Sequence, residues 1–193
     1  TATASGSSRS RPRSSAPSPF PSGHIVAALT RGFDREHGGF GASPKFPPHS
    51  TLLYLLYRLS EEEDLQSKEM ALRTLDAMRL RGLNDHLGGG VFRYCVDRRW
   101  TIPHFEKMLY DQAMALWVFA LAFNVLARDA ARAMALRIVS CLQTDFRRDW
   151  LYLNSHDADT AHVECATYLW ERKELETILV PAGFAAVSEA YDI

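Results

Sequence analysis

Residues 104–126 read HFEKMLYDQAMALWVFALAFNVL, a charged and aromatic opening that gives way to apolar side chains on every face. A helix that is apolar all round must be wrapped by other helices. From Ala113 to Ala127 only Asn124 breaks the apolar run, which is shorter than the roughly 20 residues a membrane span needs. The stretch therefore predicts a long core helix over 104–126, with Pro103 suited to its first turn. The segment that follows, from Asp129 or Ala130 to Phe146, mixes apolar and charged residues at helical spacing, as an outer helix would. The same couple recurs upstream. Ser50–Leu59 is a short apolar helix, the acidic cluster Glu61–Asp64 ends it, and Leu65–Leu80 is amphipathic through Met70, Leu72, Leu75, Met78 and Leu80. An inner helix followed by an outer one, twice, is what two concentric rings of helices require. The fold class expected is all-α, with short β-hairpins in the loops.

Outside these pairs the pattern thins. His24–Gly32 reads as the end of a helix, and a last short helix is expected over Lys173–Leu179. Strand-like pieces are expected near Val91–Val96, Leu151–Leu153 and Tyr168–Trp170. Residues 1–22 are Ser-, Pro- and Arg-rich with little to bury, so they are read as a disordered leader, and 23–193 as the folded part. The leader's acid-free, Arg- and Ser-rich composition also fits an organellar transit peptide.

The 193 residues bound the chain to one domain or a piece of one, and 47% hydrophobic residues suffice for a core. A net charge of −1 leaves no electrostatic footprint for nucleic acid or an anionic membrane. Cys95, Cys141 and Cys165 have neither disulfide nor metal spacing, and no secretory apolar stretch opens the chain. That combination points to a reducing compartment, the cytoplasm, with no metal and no cofactor.

Polar, aromatic and glycine residues gather in three segments: GGFG with PKFP at 38–47, NDHLGGG at 84–90 running on to Asp111, and HDAD at 156–159. Read as one helix, the opening of 104–126 places His104, Lys107 and Asp111 on one stripe, with Glu106 and Tyr110 beside it. Such a stripe could supply acid, electrophile and base. The same spacing describes an ordinary helical ion pair beside a histidine that anchors a loop. Asp157 and Asp159 could hold a cation or sugar hydroxyls, or simply cap a turn. The glycines make no phosphate loop, because no Gly-Lys-Ser/Thr follows.

GGFGASPKFP, LNDHLGGGVFRYCVDRRWTIPHFEKMLYDQA and HDADTAHVECATYLW resemble, in this order, the signatures of the thioredoxin-domain-containing spermatogenesis-associated protein 20 family. The resemblance runs from about residue 24 to the C-terminus. It implies an (α/α)6 toroid of the six-hairpin glycosidase type, of which this chain would hold the N-terminal half. In full-length relatives it implies a thioredoxin-like domain in the same chain, to which nothing here corresponds. The sequence departs from the pattern in two places. Phe92 stands where the family usually has His, and Cys165 follows Glu164 where the family has Gly.

Two functions follow as expectations. In the first, the toroid binds a small sugar-like ligand for epimerisation or hydrolysis. Its catalytic candidates are Asp85, His86, His104, Glu106 and Asp111. Its binding candidates are Lys45, Arg93, Tyr94, Trp100, Lys107, Tyr110, Asp157 and Asp159. In the second, the toroid is a non-enzymatic binding or scaffold module. The chain alone is expected to be a fragment without catalytic competence, and its inner helices to keep apolar flanks that nothing covers.

Overall fold

The computed structural model describes residues 22–191. The leader expected to be disordered lies, but for Ser22, outside the described residues. Helix α1 (Ser22–Gly32) leads into a glycine-rich loop and then α2 (His49–Glu61) and α3 (Leu65–Leu80). A second long loop carries β1 (Tyr94–Cys95), β2 (Pro103–His104) and β3 (Lys107–Met108) into α4 (Leu109–Leu126) and α5 (Asp129–Cys141). A π-helical turn over Leu142–Phe146 ends α5. The remainder holds β4 (Arg147–Arg148), β5 (Leu151–Tyr152), β6 (Ser155–His156), β7 (Asp159–Thr160) and β8 (Val163–Glu164), then α6 (Arg172–Ile178) and α7 (Pro181–Tyr191).

The core is the interface of α2, α3, α4 and α5. The inner helices α2 and α4 lie side by side, α3 backs α2 and α5 backs α4. Leu52, Leu55 and Leu56 of α2 meet Ala115, Val118, Phe119 and Ala122 of α4, and Met70, Leu75, Met78, Met134 and Ile138 close the outside. By length and composition alone α4 would pass for a membrane span. Here Asp111 and Gln112 are buried in its first turn, and it packs as a core helix. Only a third of it is buried. Phe119 is covered, but Trp117 is 60% exposed and Leu116, Leu121 and Phe123 are only partly covered.

Three expectations need correction. The helix starts at Leu109, not His104. Residues 103–108 run extended because their backbone groups are taken from the side: β2 pairs antiparallel with β1, β3 pairs with β6, and the Glu106 carbonyl accepts the Arg93 amide. Pro103 therefore sits in a strand. Tyr168–Trp170 leaves a turn for irregular chain and forms no strand, its amides at 168 and 169 donating to the Cys165 carbonyl. Helix α7 escaped notice because its sequence, PAGFAAVSEAY, carries no strong apolar periodicity.

Candidate functional site

An extended run alternates its side chains, and that alternation builds the site. His104 and Glu106 fall on one face of 103–108, Phe105 and Lys107 on the other. On the first face Arg93 Nη1 donates to Glu106 Oε2 at 2.6 Å, and His104 Nδ1 lies 4.0 Å from the same oxygen. Glu106 holds the Arg93 guanidinium above its usual range, through the hydrogen bond first and its charge second. Tyr94 stacks between His104 (centroids 4.8 Å apart) and Phe46 (4.7 Å), leaving the exposed Phe46 at the rim.

The floor is made by the first turns of the inner helices. His49 opens α2, Asp111 lies in the first turn of α4, and His49 Nδ1 is 4.0 Å from Asp111 Oδ1. The two residues are 8% and 5% exposed, and among the described residues neither His49 Nε2 nor Asp111 Oδ2 has a hydrogen-bond partner. Burial pulls the His49 imidazole down to about 4. Burial pushes the Asp111 carboxyl up to about 6, Arg93 opposing and Glu106 adding to the rise. Tyr110 reaches both Arg93 and Asp111. At neutral pH this is a neutral imidazole facing a carboxylate close to its protonation point, the arrangement that suits proton transfer.

Several expected site residues lie elsewhere. Lys45 and Trp100 are fully buried and present no surface to a ligand. Lys45 Nζ donates to Asp34 Oδ2 (3.0 Å) and the Gly38 carbonyl (2.9 Å), and the Trp100 indole N–H donates to that same carbonyl. Arg98 adds two bonds to Asp34. Burial works to raise the Asp34 carboxyl, but the bonds from Arg98 and Lys45 outweigh it and hold the group well below the usual range. Lys107, on the inner face, donates to Asp85 Oδ2 (2.7 Å) and the Gly89 carbonyl (2.9 Å). Asp85 is thus an internal ion-pair partner, and burial of its carboxyl is likewise outweighed by Lys107. His86 is exposed, and its imidazole bonds within its own loop, to the Arg81 carbonyl and Asn84. Asp157 caps a local turn by accepting the Asp159 amide, and both are exposed. Pairing of Lys107 with His156 does bring this third loop to the same end as the other two. His49, the member of the floor that the sequence reading missed, carries no spacing signal; it is legible only as the polar residue opening an inner helix.

No protein-family model matches the chain. Spermatogenesis-associated protein 20 of Rattus norvegicus is 38% identical over 170 residues, covering 82% of this chain, and the human protein is 36% identical over 162 residues, covering 78%. Over this span the chain is a homologue of spermatogenesis-associated protein 20. It corresponds to 22% of the length of the rat relative and 21% of the human one. Among solved structures it is similar to a sugar epimerase from a ruminal bacterium (TM-score 0.62, 19% identity, 69% of this chain and 37% of that one). It is also similar to cellobiose 2-epimerase from Spirochaeta thermophila (TM-score 0.64, 20% identity, 70% and 37%). These likenesses establish the fold: the described hairpins match part of an (α/α)6 toroid.

One departure from the spermatogenesis-associated protein 20 pattern can now be placed. Phe92 is buried on the inner face, edge-on to Phe105 and Tyr168 and 5.3 Å from Lys107 Nζ. Its neighbours are therefore the inner-face residues, and the group on the floor opposite His49 is Asp111.

Proposed function

We propose that this chain supplies part of a carbohydrate site in an (α/α)6 toroid, with His49 and Asp111 as its proton-transfer pair. The observation that carries this reading is that His49 Nε2 and Asp111 Oδ2, both buried at adjacent helix starts, have no hydrogen-bond partner among the described residues. Buried polar atoms without partners are costly and rare, so a ligand hydroxyl or carbonyl that satisfies both offsets a standing penalty. The exposed Phe46 face, backed by Tyr94 and His104, offers an apolar sugar face a surface to lie on. Arg93 and Glu106 neutralise each other, so the site favours uncharged polyhydroxy ligands over acid sugars. A likeness to sugar epimerases agrees with this chemistry, while chains of this fold do not share one reaction. Catalysis requires the hairpins that complete the ring, so the chain contributes groups to a site rather than turning over alone.

The test is ligand-observed NMR with a panel of neutral mono- and disaccharides, on this chain and on a longer homologue. Contacts that vanish in His49→Gln and Asp111→Asn support the site. Saturation transfer unchanged by both substitutions, or none from the longer homologue to any sugar, rejects it. A second reading, a scaffold module within a thioredoxin-domain-containing protein, draws on the exposed apolar side chains of Trp117, Tyr57 and Leu136. A longer homologue that binds no sugar but loses a protein partner on Trp117→Ser favours it.

A further inference from the structure

The two loops that deliver the inner helices follow one plan. Each opens with Asp-x-x-x-Gly-Gly, at 34–39 and at 85–90. In the first, Asp34 Oδ1 accepts the Glu36 and His37 amides. In the second, Asp85 Oδ1 accepts the Leu87 and Gly88 amides. Each aspartate carbonyl accepts the amide of the first glycine, and each aspartate amide donates to the carbonyl of the second. The first glycine has φ +77° at Gly38 and +82° at Gly89, and a Cβ there would lie 2.7 Å from the Arg73 carbonyl or 2.9 Å from the Arg137 carbonyl. Those two arginines, on α3 and α5, reach back to the carbonyls of Arg35 and His86, each one residue beyond its aspartate.

Into each turn runs a buried lysine, Lys45 or Lys107, whose Nζ spans the second carboxylate oxygen and the first glycine's carbonyl. Each lysine's backbone pairs antiparallel with a strand further along the chain, Lys45 with Cys95 and Lys107 with His156. Four residues after each lysine comes a floor residue: His49 after Lys45, Asp111 after Lys107.

A buried ion pair is weak support for stability, since well-packed apolar replacements are often neutral or better. Its strength is geometric: a lysine pinned at both its backbone and its ammonium leaves the next helix turn little freedom. We infer that Lys45 and Lys107 are a matched pair of positioning residues, each tying the first turn of one inner helix to its Asp-Gly-Gly loop, and together setting the separation of His49 and Asp111. This rests on the reading of those two residues as the site floor. Sugar binding and the measurement below are independent, so either can fail without the other.

The test is a side-chain NMR titration of His49, its signal identified by loss in His49→Gln, with Arg93, Glu106, Tyr110 and His104 left in place around it. Lys107→Met removes a positive charge and Asp85→Asn a negative one. Acting through space alone, the first raises and the second lowers the His49 midpoint. Acting by releasing α4, both admit water to the floor and raise it from about 4 toward the ordinary 6.5, by at least one pH unit. A rise in both is the result expected. Opposite shifts, or no shift in either, overturn the inference. If the Lys107 loop does not tolerate substitution, Lys45→Met and Asp34→Asn make the same comparison on α2, with the same two outcomes.

Discussion

Asp111 is the residue whose removal tests the site most directly. The residue is 5% exposed, one carboxylate oxygen lacks a partner among the described residues, and burial moves its midpoint from 3.8 to about 6. A carboxyl whose folded midpoint lies above its unfolded one holds its proton longer in the native state. Stability therefore falls as pH rises from 3.8 through about 6, and the full penalty stands above that. At about 1.4 kcal/mol per pH unit, the gap amounts to roughly 3 kcal/mol at pH 7. Asp111→Asn removes the charge at constant shape and should stabilise the protein at pH 7 by about 1–3 kcal/mol, since an amide N–H there still lacks an acceptor. In a domain of this size that is a rise in Tm of roughly 2–12 °C. Below pH 3.8, where the native and unfolded carboxyls are both protonated, the gain should vanish. Thermal melts of both proteins at pH 3.5 and pH 7, followed by near-UV circular dichroism, read the difference. The reasoning is refuted if Asp111→Asn destabilises the protein at pH 7, because the charge on Asp111 would then be stabilising, as in a paired structural carboxylate. A gain in stability with a loss of sugar contact would mark a charge kept for function at the expense of the fold.

The opposite sign is expected at His49. Its midpoint is lowered to about 4, so stability rises with pH between about 4 and 6.5, and His49→Gln should flatten that rise in a pH series of urea midpoints. Gly89→Ala forces a side chain into positive φ and against the Arg137 carbonyl, and should cost about 1–3 kcal/mol. Gly41→Ala, with similar φ but open space, should cost less by urea unfolding, and equal losses would contradict the close approach. Trp100→Ala should cost about 3–5 kcal/mol in the same assay as a fully buried aromatic; a change below about 0.5 kcal/mol would return Trp100 to the surface. The exposed flank of α4 should bind a hydrophobic dye, and Trp117→Ser should reduce that fluorescence; unchanged fluorescence would place the dye elsewhere.

Much of the architecture is legible in the chain itself. Apolar character on every face of 109–126 demanded wrapping, and the amphipathic runs at 65–80 and after 129 supplied the wrappers, because burial of apolar surface sets both patterns locally. The bounds of α3 follow from Leu65–Leu80 alone, with Asp64 accepting the Gln66 amide at its start. The glycine loops were legible too, as was their gathering at one end, since inner helices that run the same way must start on the same side. What the residues near the chemistry do was not. Helical spacing put His104, Lys107 and Asp111 on one stripe, whereas pairing with residues 94–95 and 155–156, distant in sequence, holds 103–108 extended. That sends Lys107 inward to Asp85 and leaves His104 beside Glu106 and Arg93. Ladder hydrogen bonds between segments decide such a run, and no local propensity records them. The same holds for Lys45 and Trp100, whose composition suited a binding surface and whose place is the interior. His49 and Asp111 meet only because α2 and α4 pack side by side, and the change that burial makes in their charges exists only once they do.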